Sequence, residues 1–231
     1  MHCTMLSPLS LFGLFSVAVA LAPPLTVQDH FQTTISGGVK VPVVLGVMSR
    51  CPDAILCESV FDRVLQRVGD KVDISLSFIA QPNNSEPLYG VTCMHGREEC
   101  AGNVQELCAA KYHPISEWWP FVQCQNFQGR ENIGTPETAL NCAKAAGINW
   151  EDGKAGQCAG GDGRGTEGIH LLQQSVKDSI AAEIQKSCTV IINGRQVCIR
   201  DGTWYECEGG HSPADFIRQI NEEYDRLNSA D

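Results

Sequence analysis

The stretch VMSRCPDAILCE, residues 47–58, joins an apolar run to a helical pattern and decides the fold. The run before it, VKVPVVLGV at residues 39–47, is rich in β-branched residues, which is typical of a buried strand. Within and beyond the stretch, apolar residues recur at three- and four-residue steps, and proline stands at the first helical position. We therefore predict a strand followed by a helix over Pro52–Val68, with Cys51 as the residue that caps the helix.

The next segment predicts a second strand. KVDISLSFIAQ at residues 71–81 alternates apolar and polar residues. A strand, a helix and a strand with a short link form a βαβ unit, which is expected to be parallel and right-handed.

The residues from about 82 to 165 are rich in Cys, Gly and Pro and resemble a cross-linked insertion rather than an independent core. Two helices are predicted within this insertion, near residues 97–111 and 136–146. Regular patterns return after it, as a helix over 168–185, a hairpin around Asn193-Gly194 and a final helix from Ser212 to about Leu227. This element order predicts an α/β protein with a thioredoxin-like fold and a cysteine-rich, largely helical insertion.

The N-terminus has the pattern of a secretory signal peptide. Its apolar run, residues 9–22, is too short to span a bilayer and ends in small residues. We expect residues 1–22 to be removed and residues 23–231 to form a single domain in the secretory pathway, in a lysosome or vacuole, or outside the cell.

The net charge indicates which partners the chain can bind, and one sequon indicates where it can be glycosylated. The formal net charge is −10, from 27 acidic and 17 basic residues, which disfavours nucleic acid and anionic membrane surfaces as partners. Asn83-Asn84-Ser85 is a glycosylation sequon in a polar stretch, so Asn83 is a candidate glycosylation site on a surface loop.

The chain has 12 cysteines, and removal of a leader containing Cys3 leaves an odd number. In an oxidising compartment most of them should form disulfides, each worth ~2–4 kcal/mol. An odd number leaves at least one thiol free, blocked or bonded to another molecule. No two cysteines have the C-x-x-C spacing of zinc ribbons, so no metal or other cofactor is predicted.

Cys51 is the candidate nucleophile. A helix N-terminus presents unpaired N–H groups and a partial positive charge, which favour a thiolate over a thiol. A structural disulfide at Cys51 is the alternative. Cys57 would lie about 9 Å along the helix from Cys51 at 1.5 Å per residue, too far for the ~7 Å limit of a disulfide. We therefore expect Cys57 to pair elsewhere or to be buried.

A second motif occupies residues 93–108, CMHGREECAGNVQELC. It resembles the signature of the gamma-interferon-inducible lysosomal thiol reductase family, C-Q-H-G-x-x-E-C-x-x-N-x-x-x-x-C, and Met94 stands where the family has Gln. The resemblance extends over roughly residues 39–207. It implies a thioredoxin-like enzyme that reduces protein disulfides in acidic, lysosome-like compartments, using a C-x-x-C at the start of the first helix.

In that resemblance Cys51 matches the first cysteine of the C-x-x-C, and Ala54 replaces the second. A lone thiol can attack a disulfide, but another thiol must then release the mixed disulfide. His95 is either an acid or base or a structural histidine. The remaining structural disulfide candidates are Cys57, Cys93, Cys100, Cys108, Cys124, Cys142, Cys158, Cys198 and Cys207.

Folds of this kind carry a cis-proline before the third strand, facing the nucleophile, and Cys188 falls at that place. We hypothesise that Cys188 lies within disulfide range of Cys51 and serves as its partner or resolving thiol. The rival interpretation is that Cys188 bonds Cys198 or Cys207 as a structural staple.

The predicted function is thiol-disulfide oxidoreduction, with Cys51 attacking disulfides of protein substrates and a small thiol as candidate reductant. A protein that catalyses disulfide oxidation or isomerisation would differ only in redox potential. The contrasting class is a non-catalytic, disulfide-stabilised scaffold or binding protein that has lost the reaction.

Overall fold

The structure is a computed structural model that describes residues 38–229. The predicted signal peptide and Cys3 lie outside the described residues. Among the helices of the described part, none is both long and apolar enough to cross a membrane.

Seven strands and seven α-helices are found within residues 38–229. The strands are β1 (Val41–Val47), β2 (Val72–Phe78), β3 (Gln81–Pro82), β4 (Val91–Thr92), β5 (Thr189–Ile192), β6 (Arg195–Asp201) and β7 (Thr203–Tyr205). The helices are α1 (Pro52–Val68), α2 (Arg97–Tyr112), α3 (Ile115–Phe127), α4 (Pro136–Ala145), α5 (Lys154–Ala159), α6 (Thr166–Ala181) and α7 (Pro213–Asn228).

The central sheet has the strand order β2-β1-β5-β6-β7. β1 pairs in parallel with β2, as the βαβ pattern predicts, and in antiparallel fashion with β5. β5 and β6 form the predicted hairpin, in which Asn193 has a positive φ of 49° and Gly194 one of 76°. These values suit the Asn-Gly pair, which tolerates left-handed backbone better than other residues do.

The helices cover this sheet in two groups. α1 packs against α7, and both contact strands of the sheet. α6 packs against β2 and also against the insertion helices α2 and α5. The insertion is thereby attached to the core through α6 as well as through its own chain ends.

The element order matches the predicted α/β arrangement, including the largely helical insertion between β2 and α6. The limits of α1 are those predicted, and its cap is Cys51. Helices α3 and α5 and the short strands β3, β4 and β7 were not predicted from the sequence. α3 contains Pro120, and its residues from Trp118 to Val122 are mostly buried around its circumference, so it has little amphipathic periodicity.

Candidate active site

Cys51 lies between the end of β1 and the start of α1, in extended backbone with φ −78° and ψ 126°. Its carbonyl accepts the first helical hydrogen bond, from the N–H of Ile55 at 3.1 Å. Its Sγ lies 3.7 Å from the carbonyl oxygen of Ser187, to which the thiol can donate. The residue is 8% exposed, so a small fraction of its surface is open to solvent at the helix N-terminus.

The loop that leads into Cys51 is held by hydrogen bonds from two directions. The N–H of Met48 donates to Ser187 Oγ at 3.0 Å. The N–H of Ser49 donates to Asn103 Oδ1 at 3.1 Å, and Ser49 Oγ donates to the carbonyl of Glu99 at 3.2 Å. The residues after the first strand are therefore tied both to the segment before β5 and to α2.

Arg50 ties the same loop to a third segment. Its Nη2 donates to the carbonyls of Glu131 at 2.8 Å and Ile133 at 2.7 Å, and its Nε donates to Ile133 at 2.9 Å. The segment that receives Arg50 is fixed on α2 by Gly134, which has a φ of 86°. A Cβ on Gly134 would lie 1.9 Å from the carbonyl oxygen of Glu98, so only glycine fits this contact.

Asp53, in the first turn of α1, connects the helix start to the far strands. Its Oδ1 lies 3.2 Å from Arg200 Nε, and its Oδ2 accepts from the N–H of Gly202 at 3.0 Å. Arg200 in turn exchanges two backbone hydrogen bonds with Cys188, at 2.8 and 2.9 Å. The N-terminus of α1 and the residue before β5 are thus held by the same strand, β6.

Cys188 directly precedes β5, at the predicted place, and its peptide bond to Ser187 is cis. It is bonded to Cys57, with 6.2 Å between the Cα atoms. The structure therefore corrects both expected bonds of Cys188, because in this state it is bonded neither to Cys51 nor to Cys198 or Cys207; a role as resolving thiol stays a prediction. The physical reason is that Cys57 lies on the buried side of α1, with Ala54, so its sulfur points into the core where Cys188 is also fully buried.

All nine structural disulfide candidates lie in disulfides. Besides Cys57, they form the pairs Cys93–Cys100, Cys108–Cys158, Cys124–Cys142 and Cys198–Cys207. Three of these bonds lie within the insertion. Cys51 is the one cysteine of residues 38–229 that is outside a disulfide.

The motif at residues 93–108 accepts hydrogen bonds from the loop that leads into Cys51. Asn103 is fully buried, and its Nδ2 lies 3.8 Å from Cys93 Sγ while its Oδ1 holds Ser49. Glu99 is fully buried, accepts from the N–H of His95 at 3.1 Å and contacts His95 Nδ1 with its other oxygen. This arrangement gives His95 a structural partner. The sequence motif marked these residues, but their contact with Ser49 was not foreseen.

Two further glutamates are buried where α1 meets the insertion. Glu58 accepts from Asn126 Nδ2 at 2.6 Å, and burial raises its pKa to about 7. Burial, followed by the negative charges of Glu58 and Glu99, raises the pKa of Glu106 well above its usual value. Neither carboxyl oxygen of Glu106 has a hydrogen-bond partner among the described residues. Both side chains are therefore held in the neutral form at mildly acidic pH.

The remaining predicted site, Asn83, lies in the β3–β4 turn. Its Nδ2 donates to Thr92 Oγ1 at 2.9 Å. Among residues 38–229, no group of three or more His, Cys, Asp or Glu side chains is arranged to hold a metal ion.

Solved structures with a similar fold come from bacteria. They include BdbD from Bacillus subtilis in its oxidised form (TM-score 0.53, 16% identity, 81% of this chain and 92% of that chain). Another is MdbA from Actinomyces oris, a thiol-disulfide oxidoreductase (TM-score 0.55, 10% identity, 79% and 80% coverage). A thioredoxin-like oxidoreductase from Silicibacter pomeroyi has a TM-score of 0.50 at 11% identity, with 84% and 90% coverage. At these identities the similarity establishes the fold alone, and that fold is thioredoxin-like.

Sequence comparison connects the chain to a family. GILT-like protein 1 of Drosophila melanogaster is 27% identical over 161 residues, which cover 62% of this chain and 60% of that protein. The match thus spans less than two thirds of that relative. Residues 42–146 match the family model of gamma interferon inducible lysosomal thiol reductase (GILT), a range that includes Cys51 and the whole motif at residues 93–108. Over residues 42–146, the chain is therefore similar to the gamma-interferon-inducible lysosomal thiol reductase family.

Proposed function

We propose that the protein is a thiol-disulfide oxidoreductase that reduces disulfides of protein substrates through the thiolate of Cys51. The observation that carries this proposal is the contrast among the cysteines. Ten cysteines of the described residues are bonded in pairs, while Cys51 is unpaired at a helix N-terminus. The match of residues 42–146 to the thiol reductase family model and the thioredoxin-like fold support the same class of reaction.

The chemistry assigned to Cys51 is nucleophilic displacement at sulfur. Its thiolate attacks one sulfur of a substrate disulfide, a new bond forms between Cys51 and that sulfur, and the other substrate sulfur leaves as a thiolate that takes up a proton. The N–H groups at the start of α1 stabilise the negative charge of the attacking sulfur. The loop contacts of Met48 and Ser49 keep the sulfur in place without a side-chain cap.

The proposed setting is an acidic or secretory lumen. Five disulfides within residues 38–229 suit an oxidising compartment. Buried Glu58 and Glu106 suit an acidic one, because their neutral forms are favoured there. A small thiol is the proposed reductant, since a substrate-bound Cys51 must be released by another thiol.

The burial of Cys51, which is only 8% exposed, favours a second candidate, a disulfide-stabilised scaffold without catalytic activity. A buried thiol in that protein would react slowly with any disulfide. The two candidates differ in whether Cys51 is reactive in the folded protein.

The test is reduction of a self-quenched fluorescent peptide pair joined by a disulfide, at pH 5 with dithiothreitol as reductant. We expect the wild-type protein to accelerate the reaction and Cys51→Ser to lower the rate to the uncatalysed level, at least about 100-fold, because the nucleophile is lost. The matched control is a double Cys198→Ser/Cys207→Ser variant, which removes two sulfurs but leaves Cys51. Equal rates for wild type and Cys51→Ser would support the scaffold instead.

A further inference from the structure

The buried disulfide between Cys57 and Cys188 lies next to the unpaired thiol of Cys51. Cys51 Sγ is 3.7 Å from the carbonyl oxygen of Ser187, the residue whose peptide bond leads into Cys188. Cys57 lies further along the same helix that Cys51 caps. The thiol of Cys51 therefore contacts the residue next to one end of the disulfide, and the other end lies on the helix that Cys51 caps.

The burial of these sulfurs differs in a way that has a chemical consequence. Cys57 and Cys188 are both fully buried, whereas Cys51 is 8% exposed. A substrate or reductant from solvent cannot reach the Cys57–Cys188 bond directly. Cys51 is the sulfur through which that bond could exchange with the outside.

We propose that Cys57 and Cys188 form an internal redox pair that replaces the absent second cysteine at Ala54, with Cys188 as the resolving thiol and Cys57 as the final electron donor. This inference rests on the proposed function of Cys51. The state in the structure, with Cys57 bonded to Cys188 and Cys51 free, is the oxidised form of this three-cysteine relay.

The relay starts from the reduced form, in which Cys51, Cys57 and Cys188 are all thiols, and proceeds in three thiol-disulfide exchanges. First, Cys51 attacks a substrate disulfide and the first substrate thiol leaves. Second, Cys188 loses its proton and attacks Cys51 Sγ, which forms a Cys51–Cys188 bond and releases the second substrate thiol with that proton. Third, Cys57 loses its proton and attacks Cys188 Sγ, which forms the Cys57–Cys188 bond and returns Cys51 as a thiol.

The net reaction is oxidation of one dithiol and reduction of one substrate disulfide to two thiols. Two equivalents of a small thiol then reduce the Cys57–Cys188 bond by the reverse route through Cys51. The order of the steps follows from the geometry of α1. Cys57 lies about 9 Å from Cys51 along the helix, beyond the ~7 Å limit of a disulfide, so the relay assigns the attack on Cys51 to Cys188.

The helix start at Cys51 and the residue Cys188 are connected through β6. Cys188 is held to β6 by its two backbone hydrogen bonds with Arg200, and Arg200 is paired with Asp53 in the first turn of α1. The backbones of the two exchanging residues are thus fixed relative to one another through β6. A rotation of side chains can then exchange the partners of Cys188.

The first experiment follows a single turnover. Protein reduced with dithiothreitol and freed of it is mixed at pH 5 with one equivalent of the disulfide-linked peptide pair, then alkylated and mapped by mass spectrometry. The relay predicts release of both peptides, a Cys57–Cys188 bond and alkylated Cys51. Release of one peptide, with the other held on Cys51 and with Cys57 and Cys188 still thiols, would overturn the relay while leaving the proposed function intact. An intact peptide pair, with no peptide released and Cys51, Cys57 and Cys188 all still thiols, would instead overturn the proposed function.

Variants test the order of the steps. Cys188→Ser is expected to stop at the peptide–Cys51 mixed disulfide, and Cys57→Ser at a Cys51–Cys188 bond. Circular dichroism shows whether each variant is folded. If either variant does not fold, a second measurement decides, in which the oxidised protein is reduced with limiting dithiothreitol. The Cys57–Cys188 bond should then open at least about ten times faster in wild type than in Cys51→Ser, because exchange must pass through an accessible thiol. Equal rates would overturn the relay.

Discussion

At the scale of single residues, the candidate active site is distinguished by a cysteine at position 51 and an alanine, rather than a second cysteine, at position 54. Ala54 is fully buried on α1 at the position where a C-x-x-C would carry its second sulfur. A protein with a neighbouring dithiol releases its own mixed disulfide, whereas the reaction proposed for this chain uses a thiol from another segment or from solution.

Ala54→Cys should restore the neighbouring dithiol. We expect the introduced sulfur to form a disulfide with Cys51 on oxidation, and single-turnover release of both substrate peptides to persist when Cys188 is also changed to Ser. The extra sulfur in a fully buried position should cost about 1–3 kcal/mol of stability. Alkylation mapping and denaturant unfolding provide the two measurements.

Ala54→Ser is the matched control, because it adds an atom of similar size without a thiol. In the Cys188→Ser background it should leave the mixed disulfide unresolved. If Ala54→Ser and Ala54→Cys behave alike there, the idea that Ala54 marks a missing resolving cysteine is wrong.

At the scale of elements, α2 acts as the support of the Cys51 loop. Asn103 and the backbone of Glu99 accept the two hydrogen bonds of Ser49. The carbonyl of Ile133, in the segment that packs on α2 through Gly134, accepts from Arg50. The motif at residues 93–108 therefore has a structural role at the site, although none of its cysteines is bonded to Cys51. Its disulfide Cys93–Cys100 fixes the start of the helix that carries Asn103.

Asn103→Ala tests this support. It removes the acceptor of the buried Ser49 N–H, which should destabilise the protein by about 1–3 kcal/mol. We also expect the alkylation rate of Cys51 to change several-fold, because the loop before it loses its anchor. Both effects are measurable, by urea unfolding and by timed labelling with iodoacetamide.

Gln174→Ala provides the comparison. It removes an exposed amide that donates to Asp178 on α6 at 2.8 Å, so it should change stability by less than about 0.5 kcal/mol. Equal effects of the two variants on stability and on Cys51 labelling would show that Asn103 does not position the loop.

At the scale of the whole molecule, the interface between α1 and the insertion makes stability depend on pH. Burial raises the pKa of Glu58 from 4.5 to about 7, and burial together with neighbouring negative charges raises the pKa of Glu106 well above its usual value. A carboxyl with a raised pKa in the folded state binds more protons there than in the unfolded state, so stability falls as pH rises above the unfolded value. The carboxyls with lowered pKa, such as Glu86 and Glu223, lose their contribution only in more acidic solution.

We therefore expect the free energy of unfolding to be larger at pH 5 than at pH 7.5. The contribution of Glu58 alone is on the order of 3 kcal/mol at ~1.4 kcal/mol per pKa unit. Urea unfolding across this pH range measures it. In Glu58→Gln, which keeps a neutral acceptor for Asn126, the decrease should be much smaller.

Glu222→Gln, at an exposed position on α7, should leave the pH dependence as in wild type. A wild-type protein that is equally stable at pH 5 and pH 7.5 would contradict the assignment of two buried neutral glutamates. The same result would remove one of the supports for an acidic compartment.

Local pattern was sufficient to predict α1, the βαβ unit, the β5–β6 hairpin and the position of Cys51, because each depends on periodicity or turn chemistry within about twenty residues. The family resemblance in residues 93–108 could also be read from the chain alone. α3 was missed, since a buried helix with an internal proline has no distinct polar face.

Only the tertiary structure decided the partner of Cys188, which is 131 residues from Cys57 along the chain. The same holds for the burial of Glu58 beside Glu106 and for the contact of Asn103 with Ser49. Spacing along a sequence determines which residues share a helix face or a strand. Which distant residues meet depends on how the helices pack on the sheet. For this reason the sequence determined the position of the candidate nucleophile at the start of α1, while the fold decided which cysteines are bonded to each other.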